Sequence, residues 1–411
     1  MIKISDILLR QKKELENLVR GKYVARDVVL PELGKNIIKV ITGPRRAGKS
    51  FFAVHKLSNF GYVNFDDEDI IKVENYDEII EVIKQLYNNP QALFLDEIQN
   101  LEKWELFASR LQRQGYDLII SGSNANLLGR ELSTHLTGRH LNVIVFPFSF
   151  KEYLRYYGSE FTTAEKKSRL IEYIKNGGYP EPLIKNLDYK EYLKTLFDSI
   201  LFKDIVRRYN PRYSKELEAL TNFLISNFSN QISYGKIKDF TEIGSVHTVK
   251  KYIGYLEEAF LFFEVKRFSF KVKEQEKANK KIYVIDNGII NARSFKFAND
   301  IGRLYENIVA VELKKRQMRG ELEFFYYQKR YEADFVVKRN QAIGELIQVC
   351  YDIENLDTKE RETRGLLHAA KDLNCDNLTI ITEEYESVEQ IEWHGIKGSV
   401  KYIPLWKWLL K

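Results

Sequence analysis

Residues 43–50 read Gly-Pro-Arg-Arg-Ala-Gly-Lys-Ser, a full match to the spacing G-x-x-x-x-G-K-[ST]. That spacing suits phosphate. Gly43 and Gly48 let backbone N–H groups turn inward, Lys49 carries charge to the β and γ oxygens, and the Ser50 hydroxyl can ligate Mg²⁺. Pro44, Arg45, Arg46, Ala47 and Phe51 complete the loop and first helical turn around the nucleotide, with Arg45 and Arg46 either near the phosphates or at a subunit interface. Further along, the apolar run Ala92-Leu93-Phe94-Leu95 delivers two carboxylates, Asp96 and Glu97. Asp96 would hold Mg²⁺ through its water shell beside Ser50, and Glu97 would polarise the water that attacks the γ-phosphate. The run Ser121-Gly122-Ser123-Asn124 offers Ser123 and Asn124 to orient that water or sense the γ-phosphate, or else it is a plain turn. Arg139 could neutralise transition-state charge, in cis or in a neighbouring subunit, or serve as an ordinary ion-pair arginine. No Asn-Lys-x-Asp guanine-reading sequence is present, so ATP is preferred over GTP, and a glutamate directly after the aspartate favours hydrolysis over transfer to a small molecule.

These groups must be positioned by strand ends. The apolar, β-branched run 37–42 precedes the glycine loop, and strands at 61–65, 92–95 and 118–121 alternate with helices at 76–87 and 104–114. That alternation predicts an α/β fold: a parallel sheet covered by helices, with the nucleotide at the carboxyl ends of the strands. The spacing places this P-loop core at 1–149, with an amphipathic helix in its first twenty residues flanking the nucleotide. Residues 150–210 read as a helical lid or connector, broken at Asn176-Gly177-Gly178-Tyr179-Pro180. Residues 211–275 offer helices at 214–227, 235–241 and 245–261 and a hairpin-like stretch at 262–270, the ingredients of a winged helix-turn-helix. Its third helix would enter a major groove through His247, Lys250 and Lys251, or would only pack. Residues 276–411 read as a mixed α/β unit with strands at 281–285, 322–327, 332–338, 342–349 and 378–382 and helices at 301–317 and 358–373.

The chain has 411 residues, 44% of them hydrophobic, enough for two to four domains with cores of their own. No apolar run approaches the ~18 to 20 residues that span a bilayer, and the N-terminus lacks a signal-peptide pattern, so a soluble cytoplasmic protein is expected, with no membrane partner. The two cysteines, Cys350 and Cys375, have neither disulfide nor zinc spacing and read as buried thiols. Few Cys and Met beside many Lys, Glu, Ile and Tyr point weakly to a thermophilic source. Net charge is +6, but residues 266–319 hold 14 Lys or Arg against 6 Asp or Glu, so that window carries +8 and the remainder −2. Such clustering suits a nucleic-acid backbone, with Lys266, Arg267, Lys271 and Lys273 as candidate contacts, although a solvated basic face has the same composition.

The ordered set Gly-Pro-Arg-Arg-Ala-Gly-Lys-Ser, Leu-Phe-Leu-Asp-Glu-Ile-Gln, Ile-Ser-Gly-Ser-Asn-Ala, Leu-Thr-Gly-Arg and Phe-Pro-Phe-Ser-Phe-Lys-Glu-Tyr-Leu resembles a prokaryotic family of ATPases abundant in archaea. These are AAA-like, stand near the STAND signalling NTPases, and carry a winged helix and a C-terminal restriction-endonuclease-like domain. The resemblance extends over Ile301–Asn307, Glu332-Ala333-Asp334-Phe335 and Leu346–Tyr351. It implies ATP hydrolysis with Mg²⁺, homo-oligomeric assembly and, for some members, DNA binding. A nuclease of the PD-(D/E)-x-K type needs an aspartate and a glutamate for metal and a lysine two residues past the glutamate. Asp334 and Glu306 fit, but Gln348 and Cys350 stand at the glutamate and lysine positions, so a degenerate site kept for DNA or partner binding is expected. The leading expectation is an ATPase that acts on DNA in repair, recombination or genome maintenance. The alternatives are a signalling or scaffold ATPase with a protein partner and an ATP-regulated, metal-dependent nuclease.

Overall fold

Strands that read as unbroken apolar runs need helices on both faces to keep water out, and the N-terminal part of the chain meets that demand. The computed structural model describes residues 3–31, 37–123, 140–210, 214–294 and 301–411. Two sequence candidates, Asn124 and Arg139, lie outside the described residues. Contacts divide the chain into two compact units, one of Met1–Phe148 with Glu258–Phe260, the other of Ser149–Glu257 with Leu261–Lys411.

The first unit runs α1 (Ile4–Val19), β1 (Ile38–Thr42), α2 (Lys49–Lys56), β2 (Phe60–Asn64), α3 (Tyr76–Leu86), β3 (Ala92–Asp96), α4 (Trp104–Arg113), β4 (Asp117–Gly122) and β5 (His140–Ile144). The strands form one parallel sheet in the order β2-β3-β4-β1-β5. This order puts β4 between β1, which feeds the phosphate loop, and β3, which ends in the paired carboxylates. On one face Ile7 and Leu8 of α1 pack with Val40, Leu93, Leu95, Ile120 and Trp104. On the other, Phe52 and Val54 of α2 pack with Ile41, Phe94, Ile119 and Val143. The N-terminal helix is tied to the strand ends as well: Gln11 Nε2 donates to Asn64 O at 3.0 Å, and Asn64 N donates back to Gln11 Oε1 at 2.9 Å.

The second unit begins with four helices, α5 (Phe150–Tyr157), α6 (Thr163–Asn176), α7 (Pro180–Lys185) and α8 (Tyr189–Ser199), and a π-helical stretch Ile200–Val206. Capping boxes at Ser149/Glu152 and Thr162/Glu165 fix the starts of α5 and α6 by satisfying amides that have no partner within the helix. There follow α9 (Ser214–Ser226), β6 (Gln231–Ile232), α10 (Tyr234–Thr241), α11 (Val246–Glu258), β7 (Phe262–Lys266), α12 (Val272–Lys277) and β8 (Lys280–Val284). The hairpin expected within 262–270 does not form. β7 pairs antiparallel with β8, and the intervening chain carries α12. The pairing buries apolar surface on both faces of β7: Phe262, Phe263 and Val265 are buried where they pair with Val284, Tyr283 and Lys281. β8, which pattern alone groups with the C-terminal strands, thus completes a three-stranded sheet in the order β6-β8-β7.

The remainder comprises α13 (Asn287–Arg293), α14 (Ile301–Met318), β9 (Glu323–Gln328), β10 (Glu332–Arg339), β11 (Ala342–Val349), α15 (Leu356–Leu373), β12 (Leu378–Thr382), β13 (Ser387–Trp393), β14 (Ile396–Pro404) and α16 (Leu405–Leu409). A mixed six-stranded sheet runs β13-β14-β12-β11-β10-β9, with β11-β12 and β12-β14 parallel. Leu366, Leu367 and Leu373 of α15 cover Val336, Leu346, Ile380 and Tyr402. Cys350 and Cys375 are buried free thiols. Among the described residues no helix is long and apolar enough to cross a membrane.

Candidate active site

The glycine loop is held open by backbone geometry that only particular residues allow. Gly43 has φ +143°, and a Cβ on it would lie 2.1 Å from Val145 O, so only glycine fits where the chain leaves β1. Gly48, φ +92°, turns the chain into α2, whose first two residues are Lys49 and Ser50. The first amides of a helix have no partner within it, so an anion is favoured at this end. Lys49 is buried, and its Nζ donates to Gly43 O at 3.2 Å and Pro44 O at 3.1 Å, with Glu97 Oε1 3.8 Å away. Two uncharged carbonyls are weak partners for an ammonium, so phosphate oxygens can displace them without breaking a tight ion pair.

The carboxylates meet the loop from β3. Asp96 is buried and hydrogen-bonds with the Ser50 side chain, and the Tyr62 hydroxyl donates to its Oδ2 at 3.1 Å. Burial first, and then the neighbouring Glu97, push the Asp96 carboxyl up to about 6, against the opposing pull of Ser121, Ser50 and Lys49. Ser50 and Asp96 therefore supply two adjacent hard oxygen donors. Among the described residues no three His, Cys, Asp or Glu side chains form a cluster open to a metal, and the pair Ser50 and Asp96 relies on the nucleotide and water for the rest of a shell. That donor set fits Mg²⁺, which keeps most of its waters and shares its shell with nucleotide phosphates.

Glu97 sits just past the strand in the left-handed region, φ +50°, a conformation that costs a non-glycine residue energy and clusters at functional sites. Three contacts hold it there. Its backbone N donates to Ser121 Oγ at 3.1 Å, Gln99 Nε2 donates to its Oε2, and Lys49 lies opposite its Oε1. The Ser121 hydroxyl in turn donates to Asp96 Oδ1. β4, the strand between loop and carboxylates, thus links both carboxylate residues through one side chain. Ser123 is buried one residue past β4. Strand alternation gives Ser121 and Ser123 the same face, so pattern could not choose between them. Ser121, Gln99 and Tyr62 were not singled out from sequence, and neither was Arg26. Arg26 Nη1 donates to Ala47 O at 3.0 Å and its Nη2 to Phe146 O, bracing the loop from outside. Behind α2, the Tyr23 ring stacks on His55 at 4.3 Å and Phe51 lies 4.6 Å from the same imidazole. Arg45 pairs loosely with Asp66 at 3.8 Å.

In the second unit, His247, Lys250 and Lys251 are exposed on α11, as are Lys266, Lys271 and Lys273 around α12, while Arg267 is half-buried. The basic excess of 266–319 is only partly a surface feature. Lys280, Lys281 and Lys315 are buried, and Lys266 and Lys271 pair with Glu276 and Glu274. Charge counting cannot see either effect. Glu306, Asp334 and Gln348 do converge. Gln348 Oε1 accepts from Asp334 N at 3.0 Å, and its Nε2 donates to Glu362 at 2.8 Å. Cys350 lies beyond β11 with its thiol pushed up to about 12, chiefly by burial.

A parallel sheet of this order, with a phosphate loop after β1, paired carboxylates after β3 and a polar strand between them, defines a P-loop ATPase of the AAA type. Residues 35–154 match the AAA domain, and residues 167–300 match a domain of unknown function, DUF8612. The chain is 38% identical to the uncharacterized protein MJ1544 of Methanocaldococcus jannaschii, over 96% of this chain and 93% of that protein. It is 32% identical to an uncharacterized protein of Haemophilus influenzae, over 86% of this chain and 91% of that one. The chain belongs to the family of these proteins, with a P-loop ATPase domain of the AAA type. Among solved structures it is similar to the Walker-type ATPase PABY2304 of Pyrococcus abyssi, with a TM-score of 0.40 and 15% identity, covering 62% of this chain and 90% of that chain.

Proposed function

We propose that the protein hydrolyses ATP with Mg²⁺ and couples that cycle to binding or remodelling DNA. The observation that carries the hydrolytic half is the continuous hydrogen-bonded set Ser50, Asp96, Ser121 and Glu97, which brings the phosphate loop and two carboxylates together across three strands. In this reading Lys49 and the amides around Gly48 hold the β and γ phosphates, and Ser50 and Asp96 hold the cation, which neutralises phosphate charge when bound with the nucleotide. Glu97 orients the attacking water and accepts its proton, while Ser121 fixes the backbone from which Glu97 projects.

For the DNA half, the order helix, strand, two helices and then two paired strands separated by the short α12, over α9 to β8 with sheet order β6-β8-β7, supports a winged helix-turn-helix, and the face of α11 carrying His247, Lys250 and Lys251 is exposed. The mixed sheet β9 to β14 with Glu306 and Asp334 supports a nuclease-type fold without the full catalytic set. Lid, winged-helix and nuclease-like regions at 150–210, 211–275 and 276–411, and assembly into homo-oligomers, belong to the same proposal. The test is phosphate release with and without linear and branched DNA. Stimulation by DNA, with turnover abolished by Lys49→Ala and DNA binding retained in that variant, is the expected result. Turnover indifferent to DNA, together with no affinity for DNA at low salt, refutes the DNA half and favours a protein partner.

A further inference from the structure

Lys281 lies on β8, yet its ammonium ends inside the carboxylate cluster of the neighbouring α14 and β10. Nζ is 3.0 Å from Glu306 Oε1, 3.1 Å from Asp334 Oδ1 and 2.8 Å from Glu332 Oε1, so each of its three protons has a carboxylate to face. Lys281 and Asp334 are buried. Neutral donors also reach two of these carboxylates. The Tyr283 hydroxyl donates to Glu306 Oε1 at 2.7 Å, and Val349 N donates to Asp334 Oδ2 at 3.0 Å. Gln348 is turned to Asp334 N and Glu362 and away from the ammonium. Burial works against a charged lysine here, but Glu306, Tyr283, Asp334 and Glu332 together hold it well above its ordinary value. Glu306 is pushed up by burial first and by Asp334 second.

We infer that Lys281 is the resident cation of this cluster, a built-in ammonium that occupies the place a divalent metal would take and excludes it. The geometry is exclusive. A metal bound by these oxygens would stand about 2.0 to 2.6 Å from each, inside the volume that Nζ fills. The observed spacings of 2.8 to 3.1 Å suit an N–H donor and are too long for a metal shell. Metal-dependent phosphodiester hydrolysis is therefore closed at this site by a residue from another sheet, independently of Gln348 and Cys350. The same ammonium pins the small sheet to the large one. Phe268 N donating to Tyr326 O at 2.7 Å and Tyr326 donating to Asn279 O at 2.7 Å run along the same seam.

The experiment has two arms, both on the full chain without nucleotide, so neither depends on ATP hydrolysis. In the first, Mn²⁺ is titrated into wild type and Glu332→Gln, the variant of the most exposed of the three carboxylates, and bound Mn²⁺ is counted by paramagnetic resonance. Equal binding is expected. A Mn²⁺ ion held by wild type and lost in Glu332→Gln overturns the inference. In the second, Lys281→Ala is melted in methylammonium chloride and in sodium chloride at equal concentration. Methylammonium restores several degrees of the lost melting temperature, and Lys281→Ala/Asp334→Asn shows no such preference. Equal effects of the two salts on folded Lys281→Ala overturn the inference. Should that variant fail to fold, the Mn²⁺ arm decides alone.

Discussion

Replacing Ser121 with alanine removes a hydroxyl that does two things at once: it accepts the Glu97 amide at 3.1 Å and donates to Asp96 Oδ1. Asp96 is already pushed up to about 6 by burial and by Glu97 with this hydrogen bond in place, so losing it raises the cost of the charged form. A hydrogen bond to a charged group is worth about 1.5 to 3 kcal/mol, and the orphaned Glu97 amide loses its only named anchor while holding φ at +50°. If about 2 kcal/mol of that appears as lost transition-state stabilisation, kcat falls about 30-fold. Contacts from the glycine loop and Lys49 to the phosphates do not pass through Ser121, so nucleotide affinity stays within about threefold, a shift of under 1 kcal/mol. Ser121→Thr keeps a hydroxyl on a strand that favours β-branched residues and should retain most activity. Steady-state phosphate release at saturating ATP, with direct binding of a fluorescent ATP analogue, separates the two quantities. Wild-type kcat in Ser121→Ala, or a loss confined to nucleotide binding, refutes the positioning role.

Glu97→Gln keeps shape and removes the base, so turnover should fall about 10²- to 10⁴-fold while ATP still binds; measurable hydrolysis near the wild-type rate would assign the base elsewhere. Gly177 has φ +75°, and an alanine Cβ there would stand 1.8 Å from Asp286 Oδ1, displacing the carboxylate that accepts from Gly178 N at 2.7 Å. Backbone strain of about 1 to 3 kcal/mol and the lost charged hydrogen bond together predict a drop of about 3 kcal/mol or more in urea unfolding, and a drop below about 1 kcal/mol refutes the close approach. Asp286 itself is raised from 3.8 to about 6, above all by burial, so the folded chain binds its proton more tightly than the unfolded chain does. Its contribution to stability is therefore full below about pH 4 and is lost as pH rises through about 6, a change of about 3 kcal/mol that Asp286→Asn should remove. Parallel stability curves for wild type and variant between those pH values would refute this. Lys250→Glu with Lys251→Glu should weaken DNA binding and flatten its salt dependence without changing basal phosphate release; an unchanged salt slope would clear α11 of DNA contact.

Much of the ATPase half was legible because its signals are local. A β-branched run, a glycine loop and a Lys-Ser pair are contiguous, and parallel strands buried on both faces announce themselves as apolar runs such as Leu93-Phe94-Leu95 and Leu118-Ile119-Ile120. The C-terminal strand β13 was missed because Glu389 and Gln390 break the polar and apolar alternation of Ser387–Trp393 and none of its residues is buried. The placement of β8 was missed for a different reason. Its residues look like any buried strand, and the partner strands β6 and β7 are chosen by register and packing at a distance along the chain.

By itself, the sequence determined that Lys49 and Ser50 follow a glycine loop after β1 and that Asp96 and Glu97 stand at the end of β3, since contiguous residues are tied to strand ends by covalent proximity. Only the tertiary structure decided how they are held. It put Ser121 on the carboxylates because β4 lies between β1 and β3, and it put the Arg26 guanidinium on the loop carbonyl of Ala47. It also buried Lys281 among Glu306, Glu332 and Asp334, turning part of an apparent basic surface into an internal counter-charge. The difference is physical. Contacts within a few residues follow from backbone geometry, whereas a buried charge is paired with whatever packing brings within about 3 Å, and that distance has no counterpart along the chain.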